Sequence, residues 1–203
     1  NGACTSSANA TFLVNANPTA TASTSTATVC EDATLSLTGS ASGGSGSGYG
    51  YTWSGPSSYT SSDQSPTISV DATTAMAGSY LLTVTDGNSC SSASSSTSIT
   101  VNQNPTVTVG SALSAICQSG TSAAMGSSVS GGATGGTWTG GAGSWTSATD
   151  LTNATYTAGA SESGSITLTL TTSGGSCGNT SDTKNITVNQ NPTVTVGSAL
   201  SAI

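Results

Sequence analysis

The chain has 203 residues, of which Lys184 is the only base, eight are acidic and none is Arg or His, for a formal net charge of −7. So few cations exclude nucleic acid as a partner, because neutralising phosphates takes several Lys or Arg side chains. They exclude an anionic membrane surface for the same reason, and no apolar run is long enough for membrane insertion as a helix. Ser and Thr make up more than a third of the residues while charged residues make up only 4%, so the surface stays soluble through hydroxyls rather than ions. The hydrophobic fraction of 33% is patterned with a strand period, unlike a disordered chain.

In chain order, the first signal is Phe12-Leu13-Val14-Asn15-Ala16-Asn17-Pro18, with Cys4 ahead of it. A hydroxyl-rich stretch follows, comprising Thr19, Thr21, Ser23, Thr24, Ser25, Thr26 and Thr28, and then Cys30. Short period-2 runs appear at Leu35/Leu37, Ile68/Val70, Tyr80/Leu82/Val84 and Ile99/Val101. Between them lie a Gly/Ser turn region from Ser40 to Gly50 and the tight-hairpin sequence Asp86-Gly87-Asn88. Cys90 and a second hydroxyl cluster, Ser91, Ser92, Ser94, Ser95, Ser96 and Thr97, precede Ile99. Further on come Cys117, a Gly-rich turn from Gly131 to Gly136, the alternating strand Ser165–Thr171, and Cys177.

The last eighteen residues, Ile186–Ile203, repeat Ile99–Ile116 letter for letter, and Val14, Val101 and Val188 are spaced by 87 residues. The chain is a tandem array. Residues 17–103 and 104–190 are expected as two domains, 1–16 as the last strand of a preceding domain and 191–203 as the first strand of a following one. With Asn1 in first place and no leader pattern, the chain reads as a processed or excised piece. About seven short strands per repeat and no sustained 3.6-residue period predict an all-β fold, one small antiparallel β-sandwich per repeat, with the repeats arranged as a string or fibre. The linker Asn102-Gln103-Asn104-Pro105 is short, and its proline stiffens it.

The cysteines keep the same register, Cys30 with Cys117 and Cys90 with Cys177. One bridge per domain is the economical expectation, Cys30 to Cys90 and Cys117 to Cys177, each contributing on the order of 4 kcal/mol by closing a long loop. Cys4 stands unpaired in this window. Disulfides imply an extracellular or cell-surface location.

Tyr51-Thr52-Trp53-Ser54-Gly55-Pro56, Ser65-Pro66-Thr67-Ile68 and Ala77-Gly78-Ser79-Tyr80-Leu81-Leu82-Thr83-Val84-Thr85-Asp86 resemble the immunoglobulin-like repeats of large secreted surface proteins of the Bacteroidota type, exported by type IX secretion. Gly135-Gly136-Thr137-Trp138-Thr139-Gly140-Gly141 and Asn153-Ala154-Thr155-Tyr156 are similar to the PKD-like repeats of the same proteins. The resemblance implies Trp53 and Trp138 as core residues of the third strand and Tyr80 as a corner tyrosine. Because position 82 is Leu and the cysteine comes later, at Cys90, it also implies a bridge near one end of the sandwich.

Catalysis is not expected, since no base beyond scattered carboxylates and one Lys is available, and no cofactor or metal site is indicated. Calcium at Glu31-Asp32 or Asp86 would require several converging carboxylates. The four N-x-S/T sequons, at Asn9, Asn153, Asn179 and Asn185, are about what chance gives at this hydroxyl content. The two hydroxyl clusters are the better candidates for covalent O-linked glycans. The function expected is a structural segment of an extracellular fibre or stalk, with other copies of the repeat as partners. Two alternatives are a carbohydrate-binding adhesin presenting Tyr49, Tyr59 or Trp145, and a short filament subunit joined by strand complementation.

Overall fold

The computed structural model describes residues 2–197. The chain forms two compact units, Asn1–Val101 and Asn102–Ile203. Within the described part, residues 2–17 and 190–197 carry no strand and are exposed. Residues 1 and 198–203, on which part of the expected flanking strands falls, lie outside the described residues.

The first unit contains β1 (Pro18–Thr24), β2 (Thr28–Cys30), β3 (Leu35–Gly43), β4 (Gly50–Gly55), β5 (Tyr59–Ser61), β6 (Thr67–Ser69), β7 (Gly78–Thr85) and β8 (Ser95–Asn102), with single 3-10 turns at Pro56–Ser58 and Thr74–Met76. Two sheets form, in the orders β1-β3-β6 and β2-β8-β7-β4-β5. Period 2 dictates what lies between them: on β7, Tyr80, Leu82 and Val84 point inward and are buried, while Ser79 and Leu81 point outward. They meet Leu35, Leu37, Trp53, Ile99 and Val101 in a single core. Burying each aliphatic side chain there contributes about 1.5–3 kcal/mol.

The second unit contains β9 (Thr106–Thr108), β10 (Ile116–Cys117), β11 (Ser128–Ser130), β12 (Gly135–Thr139), β13 (Ser144–Thr146), β14 (Thr155–Thr157), β15 (Gly164–Ser173) and β16 (Ser181–Asn189). Its principal sheet runs β10-β16-β15-β12, with the pairs β11-β9 and β13-β14 beside it. The core gathers Met125, Trp138, Tyr156, Leu168, Leu170, Ile186 and Val188. The matched architecture is an all-β, immunoglobulin-like sandwich in each unit.

Two local readings change. The Gly131–Gly136 stretch is a turn only in its first part, because Gly135 and Gly136 open β12 opposite Ser173 and Thr172. The cluster Thr19–Thr28, read from sequence only as a hydroxyl-rich stretch, supplies most of β1, whose partner β3 takes up its backbone from Pro18↔Gly43 to Thr24↔Leu37.

Candidate functional site

Each sandwich has a leading pole, where the chain enters, and a trailing pole, where it leaves. In the first unit the β7–β8 loop lies at the leading pole. Gly44, close to the nitrogen of Pro18, also approaches the Asp86 carboxylate of that loop, so a Cβ there would collide with Asp86 at a φ of +61° that already disfavours side chains. Asp86 organises the loop by accepting N–H bonds from Ser45 (2.7 Å), Cys90 (2.9 Å) and Asn88 (3.0 Å). Burial pushes its carboxyl up, but these donors outweigh that and hold it below the usual carboxylate value. With both oxygens engaged by N–H groups, Asp86 is a loop anchor rather than a calcium ligand. Among the described residues no three His, Cys, Asp or Glu side chains converge on a common point.

Cys90 sits in that loop. Cys30, by contrast, closes β2 and leads into a turn in which the Asp32 N–H donates to Ala72 O, near the start of β7. The start of β7 faces Ile99, near the end of β8, so Cys30 belongs to the trailing pole. The two cysteines are separated by the length of β8, Ser95 to Asn102, about 23 Å at roughly 3.3 Å per residue. The second unit repeats this layout. Cys177 lies in the β15–β16 loop at the leading pole, its Sγ 3.5 Å from Asn102 O, while Cys117 pairs with Asn189 at the far end of β16.

The expected bridges Cys30–Cys90 and Cys117–Cys177 therefore do not form, since a disulfide tolerates a Cα separation of only about 7 Å at most. Cys4, Cys90 and Cys117 carry free thiols, and Cys30 and Cys177 are disulfide-bonded. Spacing revealed the equivalence of the cysteines but not their poles. The pole follows from which strand end each cysteine abuts, a matter of register.

Trp53, Trp138 and Tyr80 are fully buried. Trp53 Nε1 donates to Asp63 O (3.1 Å), Trp138 Nε1 to Ser127 Oγ (3.2 Å), and Tyr80 Oη to Met76 O (2.8 Å). The rings considered for sugar stacking are half-buried and pack against the cores of their units. Tyr59 meets Tyr80 edge-on at 5.7 Å, Trp145 stacks on Trp138 at 5.7 Å, and Tyr49 Oη donates to Gly43 O.

The second core carries two features not anticipated from sequence. Tyr156 Oη donates to Glu162, which also accepts the N–H groups of Ala142 and Gly159. Burial pushes the Glu162 carboxyl up, and these three donors outweigh it, holding it below its usual value. Lys184 is buried, donating to Met125 O (2.9 Å) and Ser111 O (3.0 Å), with its Nζ 5.7 Å from the Trp138 ring centre. Burial lowers its pKa. Its position two residues before Ile186 and four before Val188, on the same strand face, was the available sequence signal.

The hydroxyl clusters divide by exposure. Thr19, Thr21, Ser23, Ser25, Thr26 and Thr28, and Ser91, Ser94 and Ser96, are exposed; Thr24, Ser92, Ser95 and Thr97 are half-buried. Ser92 Oγ accepts the Val84 N–H and Ser95 Oγ accepts the Ala22 N–H, so these two hydroxyls satisfy strand backbone. Thr24 Oγ1 lies within bonding distance of Ser36 O and Thr26 O.

No family model and no curated protein matches the chain. Among solved structures it is similar to the eight N-terminal Ig domains of Down Syndrome Cell Adhesion Molecule, with a TM-score of 0.54 and 14% identity over 85% of this chain and 25% of that one. It is also similar to the insect immune protein hemolin, with a TM-score of 0.50 and 12% identity over 81% of this chain and 44% of that one. An I-band fragment of titin aligns at 13% identity and a TM-score of 0.45, over 88% of this chain and 67% of that one. The likenesses to the first two show an immunoglobulin-like fold. The chain spans about a quarter of the first protein and under half of the second.

Proposed function

We propose that this chain is a segment of an extracellular fibre or surface stalk, built from tandem disulfide-bonded immunoglobulin-like units that provide mechanical reach or scaffolding for adhesion. In this reading the first unit is of the kind that recurs in large Bacteroidota surface proteins and the second is PKD-like. The observation that carries the proposal is the register of Val14, Val101 and Val188. The latter two are buried in the last strands of their sandwiches, whereas Val14 and its neighbour Phe12 present the same alternation at 89% exposure each. In this reading Phe12 and Val14 hold the sequence positions of Ile99 and Val101 in the last strand of a unit, and Val194 and Val196, also exposed, those of Val107 and Val109 near the start of one. Other copies of the repeat are the partners. O-linked glycans attach to the exposed hydroxyls of β1 and of the segment before β8, and not to Ser92 or Ser95, which hold backbone.

A second reading is favoured by the same exposed apolar residues: a short subunit whose flanking segments are completed by strands of neighbouring molecules. A carbohydrate-binding role draws no support from Tyr49, Tyr59 and Trp145, which are half-buried against their cores, Tyr59 on Tyr80 and Trp145 on Trp138, and form no shared exposed face. The intact mass of native material, reduced and deglycosylated, separates the two leading readings. A mass near 19.3 kDa would identify the short subunit, and one many times larger the tandem stalk.

A further inference from the structure

The repeat places its two cysteines at opposite poles, and their oxidation differs between the units. In the first unit the trailing-pole Cys30 is disulfide-bonded and the leading-pole Cys90 is free; in the second the leading-pole Cys177 is bonded and the trailing-pole Cys117 is free. Cys117 is the repeat equivalent of Cys30, and Cys90 that of Cys177, so each free thiol occupies a position whose counterpart forms a disulfide in this same chain. The local geometry is shared as well. Cys30 and Cys117 each end a short strand and accept a turn bond through their carbonyls, from Ala33 and Gly120. Each is followed two residues later by a left-handed residue, Asp32 (φ 65°) or Ser119 (φ 60°). Cys90 and Cys177 both lie in the loop before the last strand. Cys117 is exposed and Cys90 half-buried.

We infer that Cys90 and Cys117 are complementary linking half-cystines, a trailing-pole thiol of one sandwich joining a leading-pole thiol of another unit of this kind. The inference rests on the tandem reading above only in assuming that poles of like units meet end to end. Chemically, the Cys117 thiolate attacks a small-molecule disulfide such as oxidised glutathione and expels one thiolate. The Cys90 thiolate of the other unit then attacks the mixed disulfide at the Cys117 sulfur and expels the second. Two electrons pass to the small disulfide, and its two thiolates take up the two protons that the protein thiols lose on ionising, so that it leaves as two thiols. A within-sandwich bridge is not available to either thiol, because the length of β8 or β16 intervenes.

A second copy of the chain supplies the test. With Cys4→Ser in the background to remove the exposed tail thiol, the protein is incubated in a glutathione redox buffer at rising concentration. The linked species are then separated without reductant and their joined peptides identified by mass. The inference expects a reducible ladder in which Cys117 is joined to Cys90. Cys90→Ser alone and Cys117→Ser alone should each abolish it, and mixing those two variants should restore dimers only. Homodimers persisting in either single variant, joined peptides showing Cys30–Cys90 or Cys117–Cys177, or no linked species at all would each overturn it. Unchanged melting temperatures of both variants would show that the fold survives, as expected because Cys90 anchors its loop through its backbone. The intact-mass measurement does not enter this result, so the stalk reading and the linking chemistry can fail separately.

Discussion

Pro105-Thr106-Val107-Thr108-Val109 and Pro192-Thr193-Val194-Thr195-Val196 are the same five residues in two environments. In the first, Val107 faces Val129 across the β9–β11 pair and, with Val109, packs against the second core. In the second, Val194 and Val196 are 90% and 88% exposed and no strand forms. The same contrast separates Phe12 from its repeat equivalents Ile99 and Ile186, which are nearly sealed from solvent. Identical or equivalent residues thus make a strand only where a partner strand and a core receive them. Strand formation in these hydroxyl-rich segments is a tertiary property rather than an intrinsic one.

The largest effect that would break this comparison lies in the last strands. Ile99→Ala and Ile186→Ala should each destabilise their own unit by about 2–5 kcal/mol, whereas Phe12→Ala should leave both melting transitions in place; equal losses from all three would show that residues 2–17 are docked. Next, Val107→Thr with Val109→Thr should cost the second unit about 1–2 kcal/mol in chemical denaturation, and the same pair of changes at Val194 and Val196 nothing measurable. Tyr80→Phe should cost the first unit about 1 kcal/mol by deleting the bond to Met76 O, with no change in the second unit's transition.

The smallest effect is electrostatic. Asp86 in the first unit and Glu162 in the second both have carboxyl pKa values held below their ordinary ones. Each therefore contributes stability that is present above about pH 4 and is lost as pH falls through its folded value. Titration in Asp86→Asn should flatten the acid-side decline of the first unit only, and in Glu162→Gln that of the second only.

Much of the fold was legible because period 2 on Tyr80/Leu82/Val84 and Ser165–Thr171 leaves little freedom once two sheets must share a core. The buried Trp53, Trp138 and Tyr80 followed from the resemblance. What sequence hid was whatever depends on the register between distant strands: which pole holds each cysteine, and that Ser92 and Ser95 spend their hydroxyls on the backbone of Val84 and Ala22. Lys184 was misleading in another way, since a lone base is usually solvated. Here two carbonyls and an aromatic face offset the cost of its burial.

That burial has a consequence for proteolysis. Trypsin cuts after Lys or Arg, and this chain offers it one bond, behind a side chain only 8% exposed in the middle of β16. Opening of the first unit leaves that bond covered. Opening of the second presents it, and a single cut there severs β16 between its hydroxyl-rich start and its core residues Ile186 and Val188. Tryptic digestion of the native chain thus acts as a clock that counts the unfolding of one sandwich and is blind to the other.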